Sequence, residues 1–327
     1  MLAYYYIWYT EGSWDRAKTD YPSLGRYSSD DSGVMRRHIR AAKRSGITGF
    51  IVSWKSTPVL DRRLATLADV AREEGFTLSI IYQGLDFHRN PLPVDRVAAD
   101  LARFEERYAA DPAFSVFSKP LVIWSGTWKF SLENIARAAG PVRERLLVLG
   151  SEKNTAGYER IASAVDGNAY YWSSVDPHRD KGTAAKLAAM GTAVHRHKGL
   201  WIAPFAPGFN ARKIGGRRVV DRRDGETLRR QHTAAITSSP DALGLISWNE
   251  FSENSHVEPS VRYGDRYLAV LRDITGTPAP RLSPLAEDSS GTGASGRSPT
   301  GPAVAGGTML LLCVLLVLTV RRRRRPE

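Results

Sequence analysis

The chain has 327 residues, of which 42% are hydrophobic and 9% aromatic, and its formal net charge is +12. This composition is typical of a globular protein and excludes a largely disordered chain. Residues 321–327 contribute +4 of the charge, and the remaining arginine pairs form no stripe interleaved with aromatic residues, which argues against nucleic-acid binding. The single cysteine, Cys313, excludes a disulfide framework and a cysteine-based metal site in the globular part.

Short apolar runs alternate with amphipathic segments along most of the chain. The predicted strands cover residues 2–9, 47–54, 76–82, 121–125, 146–150, 167–172, 200–205 and 243–248. The predicted helices cover residues 33–45, 60–74, 93–109, 131–138, 155–164, 183–197, 225–239 and 263–273. Eight alternations predict a (β/α)8 TIM barrel that forms one domain over residues 1–276. A doubly wound sheet is the alternative, and the first strand lacks the Gly-x-Gly-x-x-Gly motif that would favour it.

Aromatic, amide and carboxylate side chains recur where the predicted strands end. Active sites of such barrels lie at the carboxyl ends of the strands, so these side chains are candidates for binding a substrate. The candidate substrate-binding residues are Tyr6, Trp8, Trp54, Tyr82, Gln83, Trp124, Tyr171, Trp172, Phe209, Asn249, His256 and Glu258. Trp54, Trp124 and Trp172 are the preferred sugar platforms, although core packing is the alternative for most aromatic residues. The acidic last loop would repel phosphate, so a neutral polyol is the expected substrate.

Two carboxylates, Glu250 and Glu253, follow the last predicted strand at a spacing of three residues. Both can turn into one cleft, and cleavage of a glycosidic bond uses such a pair, one as acid and one as base or nucleophile. A solvated acidic turn is the alternative for this loop. The Asp, Glu and His residues are not spaced as metal ligands, so the sequence predicts no metal and no cofactor.

The composition changes after the predicted barrel. Residues 277–302 are rich in Pro, Gly, Ser and Ala and are expected to form a flexible linker. Residues 303–320 carry no charge and are followed by five arginines. Eighteen residues span ~27 Å as a helix, close to the thickness of the hydrocarbon core. They therefore predict a transmembrane helix, with residues 321–327 as a cytoplasmic tail.

This topology predicts that the barrel lies outside the plasma membrane. The linker, the richness in arginine and the anchor favour a bacterial cell surface. An exported domain needs an N-terminal signal, whereas Met1 stands directly before the first predicted strand. We therefore expect the true start codon to lie upstream of Met1.

Two stretches carry a resemblance to a known family. They are residues 221–229, Asp-Arg-Arg-Asp-Gly-Glu-Thr-Leu-Arg, and residues 247–260, Ser-Trp-Asn-Glu-Phe-Ser-Glu-Asn-Ser-His-Val-Glu-Pro-Ser. They resemble glycoside hydrolase family 99, the endo-α-mannosidases and endo-α-mannanases, in which the last strand ends in a Trp-Asn-Glu-Trp-His-Glu-Gly…Ile-Glu-Pro motif. Residues 4–9, 46–54 and 203–209 support the match.

The resemblance implies a (β/α)8 barrel that hydrolyses internal α-mannosidic bonds with retention and without a metal. It places the catalytic pair on Glu250 and Glu253. In the family's proposed mechanism one carboxylate deprotonates the sugar's 2-hydroxyl, which closes a 1,2-anhydro sugar, and this role falls on Glu250. The other, here Glu253, protonates the leaving oxygen and then deprotonates water.

Several positions depart from the family pattern. Gln83 replaces a substrate-binding glutamate, and Phe209 replaces a tyrosine. Phe251 and Ser252 replace Trp-His, and Asn254 replaces glycine. The expected partner is an α-linked oligosaccharide or polysaccharide. A non-catalytic glycan-binding surface protein and an α-glucan hydrolase are the alternatives.

Overall fold

Eight parallel strands form a barrel in the computed structural model, which describes residues 1–279. The wall consists of β1 Leu2–Tyr6, β2 Gly49–Trp54, β3 Thr77–Gln83, β4 Leu121–Ser125, β5 Leu147–Leu149, β6 Gly167–Asn168, β7 Leu200–Phe205 and β10 Ala242–Leu245. Neighbouring strands pair in the order β5-β4-β3-β2-β1-β10-β7-β6. A parallel bridge between Gly150 and Asn168 joins the two ends of this order. The predicted (β/α)8 barrel is confirmed.

Eight α-helices surround the wall. They are α1 Ser32–Lys43, α2 Pro58–Glu73, α3 Val94–Tyr108, α4 Leu132–Ala139, α5 Thr155–Ile161, α6 Thr183–Arg196, α7 Glu226–Ile236 and α8 Arg266–Thr275. Residues at the first turn determine where several of these helices begin. The Asp31 carboxylate caps α1 by accepting a hydrogen bond from the Gly33 amide at 2.7 Å. Pro58 stands in the first turn of α2, where its missing amide costs nothing.

Each strand of the wall presents its side chains alternately to two separate cores. The inner core fills the barrel and includes Tyr4, Ile51 and Ile123. The outer core lies between the wall and the helices and includes Phe50 and Val52. Both cores are buried, so the strands read as continuous apolar runs. A shift of one residue along a strand therefore moves a side chain from the cleft side of the wall to the helix side.

A short antiparallel hairpin interrupts the alternation between β7 and α7. Its strands are β8 Phe209–Asn210 and β9 Val219–Val220, which the sequence did not predict. Phe209 packs with Ala211 and Val220 in a small core of its own. The Asn210 amide donates a hydrogen bond of 2.7 Å to the Glu253 carbonyl. The hairpin therefore supports the loop that carries the two candidate catalytic carboxylates.

The predicted linker lies almost wholly beyond the described residues. The predicted transmembrane helix at residues 303–320 and the arginine-rich tail at residues 321–327 lie outside them altogether. Within residues 1–279, no helix has the length and apolar character needed to cross a membrane.

Candidate active site

The loop after β10 holds Glu250 through short hydrogen bonds. The Glu250 amide donates to Ser247 Oγ at 2.8 Å, and its carbonyl accepts from the Ser255 amide at 3.2 Å. The carboxylate is held as well, because the Ser252 amide donates to Glu250 Oε1 at 2.9 Å. Glu250 is 2% exposed. The loop thus presents a buried carboxylate in a defined orientation at the carboxyl end of the barrel.

Asn249 joins the end of β1 to the same loop. Its Oδ1 accepts a hydrogen bond from the Tyr6 amide at 2.8 Å, and its Nδ2 donates to the Tyr6 carbonyl at 3.0 Å. The Tyr9 hydroxyl donates to the Asn249 carbonyl at 2.7 Å. Asn249 is fully buried and its amide is occupied by backbone. It therefore positions Tyr6 and Glu250, which corrects its prediction as a substrate contact.

Glu253 lies beside two tyrosines and is 4% exposed. The Tyr6 hydroxyl donates to the Tyr171 hydroxyl at 2.8 Å. Burial raises the pKa of both phenols, and the negative charges of Glu250 and Glu253 raise them further. No described residue donates a hydrogen bond to Glu253 Oε2. A buried carboxylate oxygen without a partner is rare in a folded protein and is suited to a substrate oxygen.

The environment separates the acidities of the two carboxylates. Burial raises the pKa of Glu250 from its ordinary value of 4.5 to about 7, against hydrogen bonds from Ser252 that favour the ionised form. Burial and the negative charge of Glu250 raise the pKa of Glu253 well above its ordinary value, against smaller contributions from Ser173 and Tyr171. Two neighbouring carboxyl groups with separated pKa values can serve as a base and an acid at the same pH.

A buried arginine fixes the far side of the closing loop. Arg222 Nη2 donates to the carbonyls of Asn254 at 2.9 Å and His256 at 2.8 Å. Its guanidinium lies 4.5 Å from the ring centroids of both Tyr263 and Tyr267. Carbonyl and aromatic partners therefore hold this buried cation in place of an ion pair. Residues 253–256 are consequently fixed from the side opposite the cleft.

Known proteins share both this sequence pattern and this fold. The family model for glycosyl hydrolase family 99 matches residues 9–268. The chain belongs to glycosyl hydrolase family 99. It is a glycoside hydrolase, an enzyme that hydrolyses O-glycosyl bonds.

Three solved structures illustrate the similarity of the fold. The family 99 endo-α-mannosidase of Bacteroides thetaiotaomicron in complex with bis-tris-propane has a TM-score of 0.74 at 23% identity, covering 84% of this chain and 97% of that one. A second structure of the Bacteroides enzyme has a TM-score of 0.73 at 22% identity, with the same coverage of both chains. A glycoside hydrolase-like protein has a TM-score of 0.64 at 16% identity, covering 83% of this chain and 92% of that one.

Three of the predicted sugar-binding residues face the helices of this family 99 barrel, and a fourth, Trp172, is only partly buried. Trp54, Tyr82 and Trp124 belong to the outer core, and Trp172 packs against it. Trp54 Nε1 donates to Asp61 in α2 at 2.9 Å, and the Tyr82 hydroxyl donates to Asp100 in α3 at 2.9 Å. Trp54, Tyr82 and Trp124 therefore point away from the cleft, because each lies one position along its strand from a residue on the cleft side. Trp172 lies beyond the end of β6 and stays a predicted substrate contact.

Three further predictions require correction because the side chains are buried in other contacts. Glu258 accepts hydrogen bonds from Tyr27 at 2.9 Å and pairs with His38 at 3.1 Å. His256 stacks on Phe251 at 3.9 Å between centroids and pairs with Asp20 at 3.2 Å. Burial lowers the pKa of His256 to about 4, so it is neutral at neutral pH. The Phe209 ring is enclosed in the hairpin core.

The remaining candidates are placed on the cleft side. Tyr6 and Tyr171 flank the carboxylates, and the half-buried ring of Trp8 lies 4.3 Å from the Tyr6 ring centroid. Gln83 ends β3 with its amide donating to Ser53 Oγ at 3.2 Å. These four residues stay predicted substrate contacts.

Sequence reasoning missed Ser173 and Arg222. Ser173 had no signal beyond its place after the sixth strand of the wall. Arg222 lay within a stretch that resembles the family, yet its burial could not be read from the neighbouring charged residues.

Proposed function

We propose that the protein is a retaining, endo-acting glycoside hydrolase that cleaves α-mannosidic linkages. The observation that carries this proposal is the pair of buried carboxyl groups, Glu250 and Glu253, whose environments separate their pKa values. Membership of family 99 supports a glycan as substrate. The similar Bacteroides thetaiotaomicron structures are named endo-α-mannosidases, which favours an α-mannoside.

In the first proposed step, Glu250 takes the proton of the substrate's 2-hydroxyl while that oxygen attacks the anomeric carbon. Glu253 donates its proton to the glycosidic oxygen as the bond to the leaving sugar breaks. In the second step, Glu253 removes a proton from water, which attacks the anomeric carbon of the 1,2-anhydro sugar. The bond from O2 to that carbon breaks and O2 recovers its proton from Glu250. Two inversions give overall retention.

The environment of each carboxyl group matches its proposed role. Glu253 must hold a proton in the resting enzyme, and its pKa is raised well above the ordinary range by burial and by the charge of Glu250. Glu250 must be ionised, and it has the lower pKa of the two groups, about 7. A carboxylate with this pKa is a stronger base toward a sugar hydroxyl than an exposed glutamate. The unpartnered Glu253 Oε2 can donate to the leaving oxygen.

The test is oligosaccharide release by the purified full chain from α-mannan and from α-glucan. We expect release from α-mannan, with loss in both Glu250→Gln and Glu253→Gln. Binding of glycan without release would favour a carbohydrate-binding protein, and release from α-glucan alone would identify another sugar. Release that survives both substitutions would place the active site elsewhere.

We further propose that residues 303–320 anchor the enzyme in the plasma membrane with the barrel outside. The support is the uncharged run of eighteen residues and the arginines that follow it. Deleting residues 303–327 should move the protein from the membrane fraction to the soluble fraction. Protease added to intact cells should digest the barrel, and protection of the barrel would contradict this orientation.

A further inference from the structure

A group of cations faces the catalytic pair from the other side of the barrel mouth. In the eight-stranded ring, β4 lies opposite β10, whose loop carries both glutamates. The loops after β3, β4 and β5 carry Arg89, Lys129 and Lys153. We call these three residues the basic rim. A cleft lined by one sign of charge raises the local concentration of ligands with the opposite charge.

Lys153 is held over an aromatic ring. Its Nζ lies 4.3 Å from the centroid of the Trp128 ring, and Trp128 contacts Tyr170 edge-on at 6.5 Å. Neither Lys129 nor Lys153 forms an ion pair with any residue between 1 and 279, although both are exposed. The adjacent Glu152 is buried and forms its ion pair with Arg160, at 3.2 Å, and not with Lys153.

The three cations are close enough to influence one another. Burial lowers the pKa of the Lys153 ammonium, the positive charges of Arg89 and Lys129 lower it further, and the negative charge of Glu152 opposes them. Arg89 also acts on the catalytic acid. Burial and Glu250 raise the pKa of Glu253, and the charge of Arg89 opposes that rise. Arg89 therefore connects the basic rim to the reaction centre, and mutual repulsion within the rim disfavours binding of a further cation.

We propose that the glycan cleaved by this enzyme is anionic, with a phosphate or carboxylate group on a sugar neighbouring the scissile bond that binds to Arg89 and Lys153 beside Trp128. The inference rests on the proposed function, since it assumes a glycan cleaved at Glu250 and Glu253. It differs from the neutral substrate that the acidic last loop suggested. The two glutamates and the basic rim lie on opposite sides of the barrel mouth. One substrate can therefore present its glycosidic oxygen to the glutamates and its anionic group to the basic rim.

Binding to a catalytically impaired enzyme tests the inference separately from turnover. The full chain with Glu253→Gln is titrated calorimetrically with three α-mannooligosaccharides of equal length, which are neutral, phosphorylated or terminated by a uronic acid. We expect an anionic ligand to bind about tenfold more tightly than the neutral one, as for one charge-assisted hydrogen bond. The affinities of the phosphorylated and the uronic-acid-terminated oligosaccharides show which anion the site prefers.

Adding Lys153→Gln should reduce the anionic preference to about twofold or less, and Lys153→Arg should retain most of it. Lys198→Gln is the matched control, because Lys198 is exposed and lies two residues before β7, at the opposite end of the barrel. Equal binding of all three glycans, or a preference that survives Lys153→Gln, would overturn the inference. So would a Lys153-dependent attachment to anionic lipid vesicles without any preference among the glycans. Cleavage of neutral α-mannan by the wild type would then leave the proposed function intact.

Discussion

Glu253 and Glu258 lie five residues apart in one loop, and both are buried, yet their surroundings differ in kind. Both oxygens of Glu258 have partners, Tyr27 and His38, and the Tyr5 hydroxyl continues the chain to His38 Nδ1 at 3.0 Å. Glu253 Oε2 has no partner among the described residues. Among the buried side-chain atoms of residues 1–279 that lack a hydrogen-bond partner, Glu253 Oε2 is the only carboxylate oxygen. A buried carboxylate is costly to leave unsatisfied, so we expect Glu253 to serve the reaction and Glu258 to serve the structure.

The largest expected effect is the loss of activity in Glu253→Gln. An amide cannot protonate the leaving oxygen, so kcat on α-mannan should fall by about 10²–10⁴-fold, the usual contribution of a general acid. The matched Glu258→Gln variant should lose far less. Steady-state kinetics on both variants test this, with circular dichroism confirming folding. Equal losses in the two variants would show that burial alone, and not the unpartnered oxygen, distinguishes them.

The second prediction concerns stability. The pKa of Glu250 is raised in the folded state from 4.5 to about 7, so the folded protein holds this proton more tightly than the unfolded chain. Ionising Glu250 therefore lowers the free energy of unfolding. This loss is nearly absent at pH 4 and reaches its full size above pH 7. Its full size is ~3 kcal/mol, since each pKa unit corresponds to about 1.4 kcal/mol.

Glu250→Gln should therefore raise the free energy of unfolding at pH 8 by up to about 3 kcal/mol and by less than about 1 kcal/mol at pH 5. Urea denaturation at the two pH values measures the difference. A gain of the same size at both pH values would contradict the raised pKa, because the effect would then not depend on ionisation.

Glu258→Gln is expected to destabilise the protein, in contrast to Glu250→Gln. Glu258→Gln replaces an acceptor by an amide donor within a buried chain of hydrogen bonds. The mismatch with Tyr27 or His38 should lower the free energy of unfolding by about 1–3 kcal/mol. Urea denaturation at pH 7 tests this beside Glu159→Gln, a change at a half-exposed glutamate on α5 that pairs with Arg196. Stabilisation by Glu258→Gln would contradict this prediction, because it would show that Glu258, like Glu250, lowers the stability of the folded enzyme.

The barrel could be predicted because apolar runs and amphipathic segments alternate eight times, and the pattern survives errors of two or three residues at each boundary. The motif at residues 247–260 supplied the proposed catalytic pair, and the structure places both glutamates, buried, in the loop after β10. The sugar platforms could not be predicted in the same way. Trp54, Tyr82 and Trp124 end parallel strands that are buried on both faces, so no polar alternation shows which residues face the cleft.

The hairpin between β7 and α7 could not be predicted from the sequence either. Its strands, β8 and β9, are only two residues long, and the segment between them is rich in arginine and glycine. Such a segment reads as a loop. Its role became visible only from a tertiary contact, the hydrogen bond from the Asn210 amide to the Glu253 carbonyl.

The smallest expected effect is the pH dependence of catalysis, which tests the assignment of roles within the pair. Glu250 must be ionised to accept the proton of the 2-hydroxyl, and burial raises its pKa to about 7. The value of kcat/KM on α-mannan should therefore fall about tenfold between pH 7.5 and pH 6. Glu253 has the higher pKa, so the alkaline limb should lie above the acidic one. A profile that stays flat from pH 8 to pH 5 would mean that no group with a raised pKa acts as the base, which would exclude both Glu250 and Glu253 from that role.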